Sequence, residues 1–394
     1  MEKRVYLDNA AATAVRNEVI EEMLPFFDIE FGNPSTVYDM GSRVKASIDD
    51  QRAKVASLIG ARPEEIIFTS GGTEANNLAI KGIAFAHRKK GDHIIIGATE
   101  HHSVLNSARF FERLDYEVTF LQVDEYGLVD PQRLKELIRP ETILVSVAHA
   151  SNEIGTIQPI AEIAEVCRDK NVFFHTDAVA SVGNIPIDVK ELGVDLLSLS
   201  GIPLRAPKGT GALYFRKGLR LMPLLHGGIQ ESGRRGGTEN VPGIIGLGKA
   251  AELTLQELPQ KIRHVKVLRD KLVKGIIDSV ENIKLTGHPE NRLPGHASLC
   301  IQAIEGEALV FLLNSHGIYV NTGSACASKA LKTSPVLVAI GVPPELAQGS
   351  IVFTLDMPNT EDDINYVLEK LPIVVNRLRS MSPLWGKRET VQAG

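Results

Sequence analysis

An α/β fold is predicted, with a large domain on a mainly parallel sheet covered by helices on both faces and a smaller α+β domain beside it. Three observations predict it. From Asn171 to Phe215 the chain holds the apolar runs VFFHTDA, VDLLSLS and GALYF, bounded by Gly and Pro and rich in β-branched and aromatic residues. Such runs read as strands buried on both faces. Upstream of them, strand patterns alternate with helical ones, which calls for parallel strands joined by crossover helices. Downstream, a helical pattern from Gly243 to Val280 separates this region from a second set of strands and helices. The large domain is expected over residues 15–258, and the small one over residues 1–14 together with 259–394.

Taken in order, VYLDNAAATAV is a short strand or extended arm that ends in a polar turn. FGNPSTVYDMGS, from Phe31, has Gly-Asn-Pro turn chemistry, and a helix is expected from Ser42 through Leu58 with apolar positions at Val44, Ala46, Val55 and Leu58. Strand and helix patterns then pair off: IIF with ANNLAIKGIAFAHRK, HIII with SVLNSARFFERL, EVTFLQV with PQRLKELI, and ILVSVAH with AEIAEVCRD. The long helix is expected to break softly at Pro259. The small domain takes strands near ASLCIQA, GIYVNTG and GSIVFTL, and helices over GEALVFLLNSHG, PVLVAIG and TEDDINYVLEKLPIVVNRLRS. The tail beyond Pro383 is expected to fray.

Composition narrows the function classes. With 394 residues, 43% of them hydrophobic, the chain is long enough for two domains and a large core. A formal net charge of -5 and the absence of a basic tract give no electrostatic argument for nucleic acid. The first residues lack a basic-then-apolar leader pattern and no apolar run nears the length of a membrane span, so a cytoplasmic protein is expected. Three cysteines, Cys167, Cys300 and Cys326, are too few and too scattered for a disulfide framework or a closed zinc site. Cys167 sits in a helical pattern and Cys300 ends an apolar run, so both read as small core residues. Cys326 lies in NTGSACASKA, where small residues and nearby Lys329 favour a reactive thiolate.

Polar residues gather where the strands end, which is where ligands bind in open α/β sheets. Asp177 ends one run and Ser200 the next, although from this stretch alone a turn cap and a loop start fit equally well. In TSGGTEANN a strand turns into a helix at Gly72 and Thr73, where backbone N–H groups and a hydroxyl form a phosphate cradle. ATEHHSVL repeats the arrangement with His101 at a strand end. His149 and His175 read as hydrogen-bonded core histidines. His226 opens a Gly-rich loop that carries Arg234, Arg235 and Thr238.

HTDA, SGGTEANN, TEHHS, HASNEIG, RRGGTEN and GSACAS, in this order and spacing, resemble the cysteine desulfurases, pyridoxal-phosphate enzymes of aminotransferase class V and fold type I. The resemblance runs from Tyr6 to near Ser380 and implies a seven-stranded type of sheet in the large domain. It implies that Asp177 partners the pyridine nitrogen and that His101 stacks on the ring. Asn152 also falls in the site. Gly72, Thr73, Ser200 and Thr238 match phosphate-contacting positions, the last reaching across from the second subunit of a homodimer. Cys326 matches the cysteine that carries sulfur as a persulfide to an iron-sulfur scaffold protein, and the same thiolate is a candidate ligand for a 2Fe-2S cluster shared with that scaffold.

Five positions depart from the family pattern. The family's Schiff-base lysine follows Ser-x-His, and here that loop reads Ser200-Gly201-Ile202-Pro203, with the register fixed by Pro207-Lys208-Gly209. Pro203 therefore stands at the lysine position, and Ile202 at the neighbouring histidine. Ala180 takes the place of a glutamine on the cofactor's phenolic oxygen, and Val352 that of an arginine on the substrate carboxylate. Lys208 belongs to the turn. Ile229 stands where relatives tend to have glycine. Two readings follow: a desulfurase of lost or very weak activity with noncovalent pyridoxal phosphate, or a non-catalytic scaffold-binding homologue in which Cys326 accepts sulfur from elsewhere or ligates a nascent cluster.

Overall fold

The computed structural model describes residues 3–323 and 333–385. The chain opens with strand β1 (Val5–Tyr6) and helices α1 (Asn17–Met23), α2 (Pro25–Asp28) and α3 (Asp39–Leu58). A strand-helix series follows: β2 (Ile66–Thr69), α4 (Gly72–His87), β3 (His93–Gly97), α5 (His102–Glu112), β4 (Glu117–Leu121), α6 (Pro131–Leu137), β5 (Thr142–Ser146), α7 (Ile160–Asp169), β6 (Phe173–Asp177), α8 (Val189–Leu192), β7 (Leu196–Ser200) and β8 (Gly211–Phe215). Helix α9 (Val241–Ser279) then leads into β9 (Ile283–Leu285), β10 (His296–Ile301), α10 (Gly306–Ser315), β11 (Ile318–Tyr319), α11 (Pro335–Ala339), α12 (Pro344–Ala347), β12 (Ser350–Thr354) and α13 (Glu361–Met381).

Among the described residues seven strands join in one sheet, in the order β2-β8-β7-β6-β5-β3-β4. Strands β7, β6, β5, β3 and β4 run parallel, and β8 runs against both β7 and β2. Two reversals return β2 to the common direction. Thr69, Gly97, Ser146, Asp177 and Ser200 therefore end on one edge, where Gly211 begins β8 opposite both Thr69 and Ser200.

The period of two along each strand decides what the faces bury. Ile66, Phe68, Ile95, Leu197 and Leu199 join a core with α3, α7 and the first half of α9. Their neighbours Ile67, Ile94, Ile96 and Leu196 join another with α4 and α5. Both faces are apolar because both are covered, which is why these strands read as continuous apolar runs.

A third core gathers the antiparallel sheet β12-β10-β9 with α10, α13 and the later part of α9. Val5 and Leu7 of the N-terminal arm belong to it, since β1 pairs in parallel with β11. No helix among the described residues is long and apolar enough to cross a membrane.

Three local expectations need correcting. Helix α3 starts at Asp39, before Ser42, because Tyr38 ahead of it is still extended. Helix α9 does not break at Pro259 but continues for 39 residues, its packing outweighing one lost backbone hydrogen bond. Strand β9 escaped notice because three residues are too few to show a period.

Candidate active site

The sheet edge carrying Asp177 and Ser200 opens into a cavity of about 510 Å³. Gly72, Thr73, His101, Asn152, Asp177 and Ser200 all line it. Apart from Gly72 and Thr73, which share α4, each arrives from a different segment, so the sheet register brings together residues spread over more than a hundred positions of sequence. Thr238 does not join them: it is exposed and lines a neighbouring cavity of about 230 Å³ that shares Ser70, Gly209 and Thr210 with the first.

Asp177 ends β6 almost wholly buried. Its Oδ2 accepts a hydrogen bond from Asn76 Nδ2 at 2.6 Å, and its Oδ1 accepts one from the Val179 N–H at 2.9 Å. Burial pushes its carboxyl pKa up, while these bonds and His101 pull it down. A cationic ring nitrogen is the kind of partner that keeps such a carboxylate ionised.

His101 caps α5, its Nδ1 accepting from the Ser103 N–H at 3.1 Å and lying 2.7 Å from Ser103 Oγ. Asn76 Nδ2 donates to Ser103 Oγ at 2.9 Å as well as to Asp177. With Asn76 as donor, the Ser103 hydroxyl proton goes to His101 Nδ1, so the imidazole proton sits on Nε2. Burial lowers the pKa of His101, which favours this neutral form. One continuous chain, His101–Ser103–Asn76–Asp177, thus fixes both the ring and the carboxylate. Sequence reasoning missed Asn76 and Ser103; the available signal was a short polar residue, Asn76, one turn into a helix whose following positions Leu78, Ala79 and Ile80 are apolar.

At the other end of the cavity the first turn of α4 offers its N–H groups. No acceptor among the described residues takes those of Gly72 or Thr73. Gly72 is needed there because a Cβ would come well inside 3.0 Å of Val179 Cγ2. Ser200, buried at the end of β7, adds its hydroxyl.

The remaining wall is chemically bare. Ala180, Ile202 and Val352 line the cavity, and no lysine or arginine does so among the described residues. Pro203 is buried in the 3-10 turn Ile202–Leu204 and faces a smaller adjoining chamber. The exposed Lys208 is turned the other way, its Nζ donating to the Thr13 carbonyl at 3.3 Å.

Glu153 was also missed. It lines the cavity beside Asn152 and accepts a hydrogen bond from Ser334, and burial raises its carboxyl pKa to about 7. The core reading of the other histidines holds: His175 bridges Ser146 Oγ at 2.8 Å and Ser198 Oγ at 2.9 Å, and His149 meets Ser181 Oγ at 3.0 Å. Cys167 and Cys300 are buried thiols, the latter pushed up to about 12. Cys326 lies outside the described residues; the described chain touches the cavity at Gly323 and again at Pro335. Among the described residues no cluster of three His, Cys, Asp or Glu side chains is arranged to hold a metal ion.

A family model described as aminotransferase class V matches residues 5–367. The chain belongs to the aminotransferase class V family. It is 52% identical over 385 residues to "Cysteine desulfurase IscS" of Methanosarcina thermophila, covering 98% of this chain and 95% of that one. With the protein of the same name from Dictyoglomus turgidum it shares 49% over 383 residues, 97% of each chain. A solved structure titled "NIFS-LIKE PROTEIN" superposes with a TM-score of 0.90 at 37% identity, over 95% of this chain and all of the other.

The class V family implies pyridoxal phosphate, and the donor set fits part of it. A phosphate suits the open N–H groups of α4 with Thr73 and Ser200. Asp177 suits the pyridine nitrogen, and the neutral imidazole of His101 in the same cavity suits a flat ring. An amine for covalent attachment is missing from the lining residues that are described.

Proposed function

We propose that this protein is a cysteine desulfurase-like component of iron-sulfur cluster assembly, delivering sulfur from L-cysteine through a Cys326 persulfide to a scaffold protein, with very weak turnover of its own. The observation that carries this reading is the make-up of the cavity lining: a phosphate cradle and a networked Asp177 are present, while Ala180, Ile202 and Val352 leave it without a lysine or arginine among the described residues. The names of the relatives support the sulfur-supply setting, and the similarity spans nearly the whole chain.

Bound pyridoxal phosphate supplies an electron sink for negative charge at a substrate α-carbon. Thr73, Ser200 and the α4 turn bind the phosphate, joined by Thr238 from a second copy in a homodimer. Asp177 holds the ring nitrogen, and Asn76 orients Asp177. His101 keeps a neutral imidazole against the ring. With Pro203 at the lysine position, the cofactor stays noncovalent and the site lacks the amine that moves protons, a loss of about two to four orders of magnitude in rate. Cys326 then serves mainly as a sulfur acceptor and donor, and the chain as a cytoplasmic docking component for the scaffold; a 2Fe-2S cluster shared through Cys326 belongs to this reading.

The test is incubation of the protein with pyridoxal phosphate and L-cysteine, reading alanine and sulfide, followed by borohydride reduction and peptide mass mapping. Turnover at or below about 1% of that of a lysine-bearing relative, with no cofactor–lysine adduct, is expected. Rapid sulfide release, or an adduct on Lys208, overturns the assignment of Pro203 to the lysine position.

A further inference from the structure

Beside the main cavity lies a smaller chamber of about 90 Å³. The two share Ala10, Asn152, Val179, Ala180 and Ile202 as lining residues, so they adjoin along that side. The chamber has room for several waters, hence for a carboxylate of three heavy atoms.

The charges around the two spaces differ. Asp8, Glu74, Glu153 and Asp177 line the main cavity, with no lysine or arginine among its described lining residues. Glu74 is offset by Arg235 Nε at 3.0 Å, and a carboxylate entering there finds no cationic partner among the described lining residues. The side chamber instead holds a cation, Lys261, reaching in from α9, together with its acidic partner Asp356. Lys261 is 8% exposed, and its Nζ stands 2.8 Å from Asp356 Oδ1. The contact is an ion pair without an aligned hydrogen bond, so among the described residues the three donors of the ammonium remain for a ligand. Asn152 lines both spaces, and no hydrogen bond to its side-chain amide is made by the described residues; its backbone carbonyl meets His296 Nε2 at 2.9 Å.

We infer that Lys261, with Asn152, binds the α-carboxylate of a small amino-acid substrate in this side chamber, taking the part that Val352 cannot play. The inference rests on the reading of the main cavity as an amino-acid site. It makes Lys261 a substrate-binding residue and limits the substrate to an amino acid whose carboxylate end fits beside Ala180.

The experiment is calorimetric titration of the full chain with L-cysteine and with cysteamine, which lacks the carboxylate, first without and then with pyridoxal phosphate. The parent is expected to prefer L-cysteine by about tenfold or more, the usual scale for one charge-assisted hydrogen bond. Lys261→Met should abolish the preference, and adding Val352→Arg to that variant should restore it, which a merely structural lysine would not allow. Because Lys261→Met strands a buried Asp356, Lys261→Met/Asp356→Asn and the chamber-filling Ala180→Leu are run alongside, each expected to lose the preference. Equal binding of the two ligands by the parent, or an undiminished preference in a folded Lys261 variant, overturns the inference. Failure of pyridoxal phosphate to bind while the cofactor-free preference persists overturns the cofactor reading alone.

Discussion

Replacing Gly72 by alanine tests the cofactor end of the cavity with one methyl group. The new Cβ would stand well inside 3.0 Å of Val179 Cγ2, closer than carbon atoms approach in folded proteins. Val179 has little freedom to retreat: its χ1 is restricted by β-branching, and its N–H holds Asp177 Oδ1 at 2.9 Å. Relief must come either from the first turn of α4, which spreads the N–H groups that face a phosphate, or from Val179, which loosens Asp177. Overpacking of this kind costs about 1–3 kcal/mol. If that strain relaxes in the free protein and returns on binding, affinity for pyridoxal phosphate falls about 5- to 150-fold. Removing the obstacle should reverse the effect, because the same Cβ lies 3.6 Å from Val179 Cβ, an ordinary contact. Absorbance titration of the parent, Gly72→Ala and Gly72→Ala/Val179→Ala measures all three, with thermal melts to confirm folding. A single variant that binds within twofold of the parent, or a double variant no better than the single, refutes the reasoning.

Pro203→Lys alone should stay about a hundredfold or more below a variant that also carries Ala180→Gln, Ile202→His and Val352→Arg, because groups acting as one unit are strongly non-additive; sulfide release assays compare them, and near-equal rates defeat the claim. Acid stability should follow the buried histidines. His149, at about 4, and His175 and His296, at about 3, are depressed by burial, so they bind protons only on unfolding; their stabilisation is complete above about 6.5 and is lost as pH falls below it. Three protons amount to about 4 kcal/mol per pH unit near pH 5, an upper bound, because Glu153, at about 7, and Glu100 and Asp177, also raised by burial, hold in the native state protons that the unfolded chain has released. Urea denaturation at pH 5.5 and pH 5 measures the slope, and a stability that fails to fall between them contradicts it.

The main sheet was legible because its strands alternate faces under cover on both sides, so VFFHTD and LLSLS stand out against their Gly and Pro boundaries. Placing Asp177, Ser200, Gly72 and His101 together needed only the rule that ligands sit at strand carboxyl ends. The reversed strand β8 carries no sequence mark of its direction, since antiparallel and parallel strands buried on both faces look alike. The Asn76–Ser103 link was hidden because a short polar residue inside a helix usually faces water, and only the packing of α4 against α5 turns these two toward each other. Lys261 was hidden for a similar reason: nothing in the pattern of a long amphipathic helix tells a buried, paired lysine from a solvated one.

The positions that separate binding from chemistry also separate in space. The groups suited to holding a phosphate and a ring nitrogen come from the edge of the large sheet, through α4, β6 and β7. The bare positions lie elsewhere: Ile202 and Pro203 in the turn beyond β7, Ala180 in the turn after β6, and Val352 on β12 of the small sheet. Pro203 suits its turn on backbone grounds, since its fixed φ favours the second residue of a 3-10 turn, and it is buried beside Leu204. A lysine there would keep the backbone but would have to carry its side chain from the side chamber toward the main cavity. Cofactor affinity and catalytic power can therefore be altered independently in this fold, and the side chamber next to Pro203 is where any regained chemistry has to be accommodated.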